Sequence, residues 1–401
     1  MTERVMRKLP RFAAMRNGFA GRALAAGVLL LSACGGEPRA RGGEGAEVPA
    51  WTLAAEPEVE IGAREDDPRQ TLHQVAGAVR LPDGRIVVAN AGPRELLVFG
   101  PDGGYAATLG RQGKGPGEFE GLAWIGHLRA DTVVAWDNRL ARWSLFTPDG
   151  LVRVVTPTPV PDGLGPSALG VLDDGSLVIG SGWNLQAMAQ RGAGLWRDTV
   201  AFLRYGRDGR LLGTVARAPR RQVYVVEDAT GFSTSEAPFP RATFLAVSGS
   251  EVWMGDSDRF RIERRAAGGQ VLGAISREWK GAPVRPGDVE RHKRERLERI
   301  AEDSYRKHEE RALEEMPFPG TAPAFGALLT DDQGRVWVGD SPLFADSARK
   351  WSVFTPAGAE VATLRTPPGL AVLQAGDGFV LGLWKDEDDV EHVRVYRITQ
   401  G

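Results

Sequence analysis

A chain of 401 residues is longer than one hydrophobic core usually organises, so the fold is either several domains or one unit repeated. At 42% hydrophobic and 25% charged, with a formal net charge of −2, the composition gives no reason to expect nucleic acid or an anionic surface as partner. A single cysteine leaves no intrachain disulfide to build on.

The first segment in chain order reads as an address. Arg4, Arg7, Lys8, Arg11, Arg16 and Arg22 precede an apolar run, 23–31, which ends at Leu31-Ser32-Ala33-Cys34. Basic start, short apolar run and small residues together make a signal peptide. The run falls well short of the roughly 20 residues that span a bilayer. The ending resembles the lipobox of bacterial lipoproteins, which implies cleavage before Cys34 and acyl chains on it. Residues 1–33 are thus expected as signal peptide, and 34–50 as a flexible tether with little to bury. The protein is then extracytoplasmic and lipid-anchored to the bacterial cell membrane or outer membrane. Gly35 and Gly36, where Asp is absent, resemble lipoproteins passed on to an outer membrane.

From Trp51 onward one pattern recurs. LPDGRIVVAN (81–90), LRADTVVAWD (128–137), LDDGSLVIGS (172–181), VSGSEVWMGD (247–256), DDQGRVWVGD (331–340) and LQAGDGFVLGL (373–383) each join a tight turn to an apolar run. The steps Ile86 to Val133, Val133 to Leu177 and Val336 to Phe379 are 47, 44 and 43 residues, the period of a propeller blade. A second hairpin follows in most copies, as in ELLVFGPDGGYAATL and KWSVFTPAGAEVATL, so each copy supplies four antiparallel strands. The sixth copy stops after its third strand, and WTLAAEPEVEI (51–61) has strand character without a hairpin of its own. It is expected to pair there and close the ring, leaving no open edge. The prediction is an all-β, six-bladed β-propeller of four-stranded antiparallel blades over 51–401.

The string VAGAVRLPDGRIVVANAGPRELLVFGPDGGYAATLGRQGKGPGEF resembles an NHL-type repeat, and the chain is similar to six-bladed β-propeller lipoproteins of bacteria. The resemblance implies a polar residue near each second strand's end with an Arg a few residues on, here Asn90 with Arg94, Asp137 with Arg142 and Asp340 with Arg349. A partly buried carboxylate there is expected to take the charged partner.

The glycine-rich GRQGKGPGEF (110–119) then falls between the last strand of blade one and the first of blade two. A phosphate loop needs Gly-Lys followed by Ser or Thr and then a helix. Here Gly115 and a strand follow Lys114, so the glycines are expected to serve backbone geometry. The longer connections, 182–197, 219–240 and 280–323, all belong to one face of the disc, and loops grafted on a rigid scaffold commonly carry function. The last contains one helical insert, 288–316 between blades four and five, with Asp288 as N-cap and Pro317 as terminator.

An enzyme of this fold would set its groups at the channel mouth, where the first strands begin. That position offers His73, Glu120, Ser167 and Arg241 in blades one to four, and nothing ionisable in blades five and six. No catalytic set, metal site or cofactor is assigned. His292 and His308 lack a second ligand at the spacing zinc needs. Arg111, Lys114 and Trp183 complete the candidates for a ligand face, with Trp183 and Trp196 able to stack on a sugar. The function expected is a binding or protein-interaction module working through its long-loop face, with an envelope protein, peptide or glycan as partner and no nucleic acid. The alternative is a hydrolase or lyase, lactonase-like or NHL-lyase-like, at the channel mouth.

Overall fold

A computed structural model describes residues 48–400, apart from 63–66, 160–164, 183–186, 188–189, 229–230, 301 and 345. The signal peptide, Cys34, most of the tether and Trp183 lie outside the described residues.

The turn chemistry seen in the sequence builds the hairpins. In LPDGR the Gly84 N–H bonds back to the Leu81 carbonyl at 2.9 Å and the Asp83 carboxylate takes the Arg85 N–H at 3.0 Å, with Gly84 at φ 90°. Among the described residues, repeating such turns gives a mostly β chain with two longer helices. Sheet one is Val75–Arg80, Ile86–Asn90, Glu95–Phe99 and Tyr105–Leu109. Sheet two is Leu122–His127, Val133–Asp137, Arg142–Thr147 and Gly150–Val155. Sheet three is Ser167–Val171, Leu177–Gly180, Thr199–Tyr205 and Leu211–Pro219. Sheet four is Thr243–Ser248, Glu251–Asp256, Arg261–Ala266 and Val271–Ser276. Sheet five is Ala327–Thr330, Val336–Gly339, Arg349–Phe354 and Glu360–Thr366. All are antiparallel in sequence order.

The sixth sheet has three strands of its own, Ala371–Gly376, Phe379–Lys385 and Glu391–Thr399. Its outer edge is taken by the chain start, where Thr52 faces Thr399 and Val59 faces Val395 in antiparallel register. That pairing is the one expected for 51–61, but it is split into Thr52–Leu53 and Val59–Ile61 around Pro57, which has no N–H for the ladder.

The core lies between the sheets, and it is cyclic. Val87 and Phe119 belong to a cluster joining sheets one and two, Trp136 and Ile179 to one joining two and three, and Phe202 and Met254 to one joining three and four. Phe260 and Val336 sit between sheets four and five, Trp337 and Val380 between five and six. Val88 and Leu381 then join sheet six back to sheet one. Each first strand likewise neighbours the next, and that of sheet six neighbours that of sheet one. Serial face-to-face packing of twisted antiparallel sheets is the architecture of a β-propeller.

The connections expected to be long loops are structured. Gly194–Trp196 pairs with Val223–Asp228, which pairs with Gly231–Glu236, giving a three-stranded antiparallel platform. The helical segment is two helices, α1 (Pro286–Glu298) and α2 (Asp303–Glu315), where one was expected. A straight helix across 288–316 would run about 43 Å. The break, where the Arg306 guanidinium donates to the Ile300 carbonyl, folds it into a hairpin instead. Ala312 and Leu313 of α2 and Met316, which caps its end, are buried, and Ala312 and Met316 pack on Tyr224 and Val226 of the platform. Asp288 is not the N-cap. That position is Arg285, and Asp288 stands one turn in, its carboxylate accepting the Arg285 N–H at 2.8 Å. Pro286 accounts for the shift, because a proline is best accommodated in the first turn, where its missing N–H costs no bond.

Candidate functional site

The central channel is lined by first strands from all six sheets and encloses about 300 Å³. Three of its polar side chains, Gln374, Thr330 and His127, are bonded to backbone. Gln374 takes the Arg80 N–H at 2.7 Å and donates to the Arg80 carbonyl at 3.2 Å, stitching sheet six to sheet one. The Thr330 hydroxyl donates to the Val247 carbonyl at 2.6 Å, and His127 Nε2 lies 2.8 Å from the Ala130 carbonyl oxygen. None of His73, Glu120, Ser167 and Arg241 lines this channel.

Each of those four is instead placed by the scaffold. His73 donates its backbone N–H to Asn90 Oδ1 at 2.8 Å. Glu120 donates its N–H to Asp137 Oδ2 at 2.7 Å, and its carboxylate is 3.4 Å from Lys114. Ser167 opens the first strand of sheet three and is exposed. Arg241 is nearly buried, reaching the Phe239 carbonyl at 3.2 Å, Thr321 Oγ1 at 3.1 Å and Asp258 at 3.5 Å, so it ties two insertions together. Burial lowers its pKa, with Asp258 opposing the shift.

In sheet two the Asp-Arg pairing expected from the NHL-like pattern is replaced by something more local. Asp137 is 1% exposed and accepts backbone N–H bonds from Glu120, Gly121, Arg139 and Leu140 at 2.7 to 3.1 Å. Four amide dipoles compensate its charge without a cation. Arg142 turns the other way, donating to the carbonyls of Lys114, Gly115 and Glu118. The glycine-rich loop therefore presents oxygens to a cation, the opposite polarity from a phosphate cradle. Its glycines serve geometry as expected: Gly113 has φ 150°, and a Cβ there would sit 2.2 Å from Glu118 Oε2. Its cations have partners as well, Arg111 with Glu118 at 2.8 Å and Lys114 with Glu120.

Trp196, proposed as a sugar platform, is buried against Val223 and Val225. The platform strand it belongs to withdraws it from solvent.

The concave site that sequence reasoning missed lies where the insertions meet sheets four and five. It encloses about 500 Å³ between the end of the platform, both helices, the start of sheet five and the loop before Arg349. Phe239, Phe244 and Phe325 supply an aromatic wall. Glu309 of α2 lines it at 1% exposure. Its Oε1 accepts from Ser235 Oγ at 2.8 Å and from Arg296 of α1, while its Oε2 has no partner. Arg296 also donates to the Glu236 carbonyl at 2.8 Å and to Ser235 Oγ at 3.1 Å, so one guanidinium fastens α1, α2 and the platform. His292 stands 5.0 Å from the Phe239 ring and 6.0 Å from that of Phe318, with Nε2 buried and unpartnered. Burial, then Arg296, lowers its pKa and keeps the imidazole neutral. Among the described residues, no group of three or more His, Cys, Asp or Glu is arranged to hold a metal ion.

The fold and this cleft define a β-propeller with an accessory ligand-sized site on one face. A family model for DUF5128, a 6-bladed beta-propeller, matches residues 69–125, which span sheet one and the start of sheet two. Among solved structures, a member of the DUF4221 family from Bacteroides vulgatus aligns over 88% of this chain and 100% of its own, at 8% identity and a TM-score of 0.51. That likeness shows the fold alone. The calcium-binding protein regucalcin from Agrobacterium tumefaciens aligns over 88% and 97% at 11% identity and a TM-score of 0.43. Virginiamycin B lyase from Staphylococcus aureus aligns over 87% and 99% at 10% identity and a TM-score of 0.40. No curated protein matches the chain.

Proposed function

We propose that this protein is a six-bladed β-propeller, closed by its N-terminal strand, that is exported, held at a bacterial membrane through lipidated Cys34, and binds a partner of the cell envelope through its long-loop face. The observation that carries this reading is where the concave site lies. All three long connections of that face fold together, and the cleft of about 500 Å³ forms where two of them meet the disc. Pockets of that size with an apolar wall and a few placed polar groups are typical ligand sites. The alternative, a hydrolase or lyase at the channel mouth, would have to work with His127, Thr330 and Gln374, each already bonded to backbone.

Two experiments test this. The full chain in detergent, screened against envelope proteins, peptides and glycans, is expected to bind a partner that is lost when 286–315 is replaced by a Gly-Ser linker. Unchanged binding would sink the contact-face reading. Cys34→Ala is expected to leave the precursor unprocessed and to release any matured chain from the membrane. Normal processing with full membrane retention would refute the anchor.

A further inference from the structure

We propose that the cleft beside the two helices binds the carboxyl terminus of a peptide, the carboxylate held by Arg349 and Arg299, the last amide N–H by Glu309, and an apolar final side chain by the phenylalanine wall. The inference rests on the contact-face reading and names its ligand.

The cleft's charged groups fall into those held in an ion pair and those that are not, Arg349 having only the Trp351 ring 5.9 Å from its guanidinium and, among the described residues, no carboxylate within 4.0 Å. Arg221 is paired with Glu236, Arg296 with Glu309 Oε1, and Glu295 with Arg291. Arg299 and Arg349 also line the cleft, and among the described residues neither has an ion pair within 4.0 Å. Burial lowers the Arg349 pKa, and the carboxylate acting against that shift is Asp340, which accepts the Lys350 N–H at 3.0 Å. Two guanidinium groups without a carboxylate partner in the lining of one cavity suit a carboxylate ligand, which takes paired N–H donors from arginine.

The inner wall asks for the opposite. Glu309 Oε2 is a buried acceptor with no donor, a costly arrangement for a carboxylate oxygen unless a ligand supplies one. His292 Nε2 is buried and unpartnered close by, on the neighbouring helix. Phe239, Phe244 and Phe325 give the space between these groups an apolar surface. A ligand that complements all three features carries an anion, an N–H donor and an apolar group, which is the composition of a peptide's last residue. Capture of a terminal carboxylate is a recurrent mode of peptide recognition.

The test is calorimetric titration of the full-length protein in detergent with N-acetyl-Ala-Ala-Phe, its C-terminal amide, and digalacturonate as the acidic-sugar alternative. The free acid is expected to bind saturably and the amide at least tenfold more weakly. Arg349→Gln is expected to weaken the acid by the same factor and to abolish the preference over the amide, with thermal unfolding run alongside to show the variant folded. Equal affinity for acid and amide would overturn the proposal, as would acid binding untouched by Arg349→Gln, or binding of digalacturonate alone. Because the acid and amide differ only in the ligand, that comparison stands whatever the variants do. If the acid fails to bind while a screened partner still depends on 286–315, the ligand class is wrong and the contact face stands. A partner indifferent to that deletion removes the face reading itself.

Discussion

At the residue scale, Asp137 shows how a correct position can carry the wrong partner. The sequence marks a polar residue at the end of a second strand and an arginine soon after. The structure sets the two opposite each other in neighbouring strands, yet the Asp137 carboxylate takes backbone N–H groups of the incoming connection and of its own turn instead of the guanidinium. Asn90 accepts the His73 N–H in the same way, so this polar position clamps the entry to the first strand in sheets one and two, while in sheet four the next residue, Ser257, accepts the Ala242 N–H. Asp137→Ala leaves four partly buried backbone donors without their acceptor, and a loss of about 3 kcal/mol is expected in urea unfolding. Arg142→Ala, judged on the sequence pairing, would cost the same through Asp137. Here its cost comes from the carbonyls of Lys114, Gly115 and Glu118, so in a double-mutant cycle with Asp137→Ala the coupling should be well below either single loss, the two being cross-strand neighbours that share no bond.

His292 gives the pH behaviour. Its folded pKa lies below the free value, so the unfolded state binds the proton more tightly and stability rises with pH across that window. The penalty begins as pH falls through about 6.5 and stops growing below the folded value. Arg296 and Arg299 oppose the imidazolium, while Glu295 and Glu309 favour it. Thermal unfolding of the wild type between pH 7 and 5 should fall more steeply than that of His292→Gln. Parallel curves would show that the imidazole does not titrate as described.

At the element scale, hairpins were legible and insertions were not. A hairpin's partner lies a turn away, so its signal is local. The platform pairs Gly194–Trp196 with Val223–Asp228, across the whole outer half of sheet three, and nothing near either strand announces the other. The helical insert is intermediate. Glu309, Ala312, Leu313 and Met316 have the spacing of one helix face, so a glutamate at the head of an apolar stripe was visible. In a run of charged residues it reads as solvated surface, and only the fold shows it buried. Trp51 tests the value of the N-terminal strand. It packs 5.9 Å from Trp337 with the Arg335 guanidinium 4.9 Å above its ring, and its N–H reaches the Thr363 carbonyl of sheet five at 2.8 Å. Trp51→Ala should cost about 3 to 5 kcal/mol.

At the scale of the whole molecule, disc and insertions are separable. Deleting 286–315 exposes Tyr224 and Val226 but touches none of the six clusters between the sheets. The deletion variant should therefore keep its strand circular dichroism and cooperative unfolding while losing the cleft. Loss of cooperative unfolding would mean that the helices hold the disc together.

The pairing of Thr52 with Thr399 has a consequence in time. A strand at 52–61 cannot find its partner until the strand at 391–399 has been made, and contacts so distant in sequence form slowly. Until then the edge of the N-terminal strand stays open, with Ile61 lacking its sheet-six neighbours. Removing the last ten residues should thus leave a chain whose first five sheets can form but whose two ends never meet, and whose exposed seam makes it aggregate.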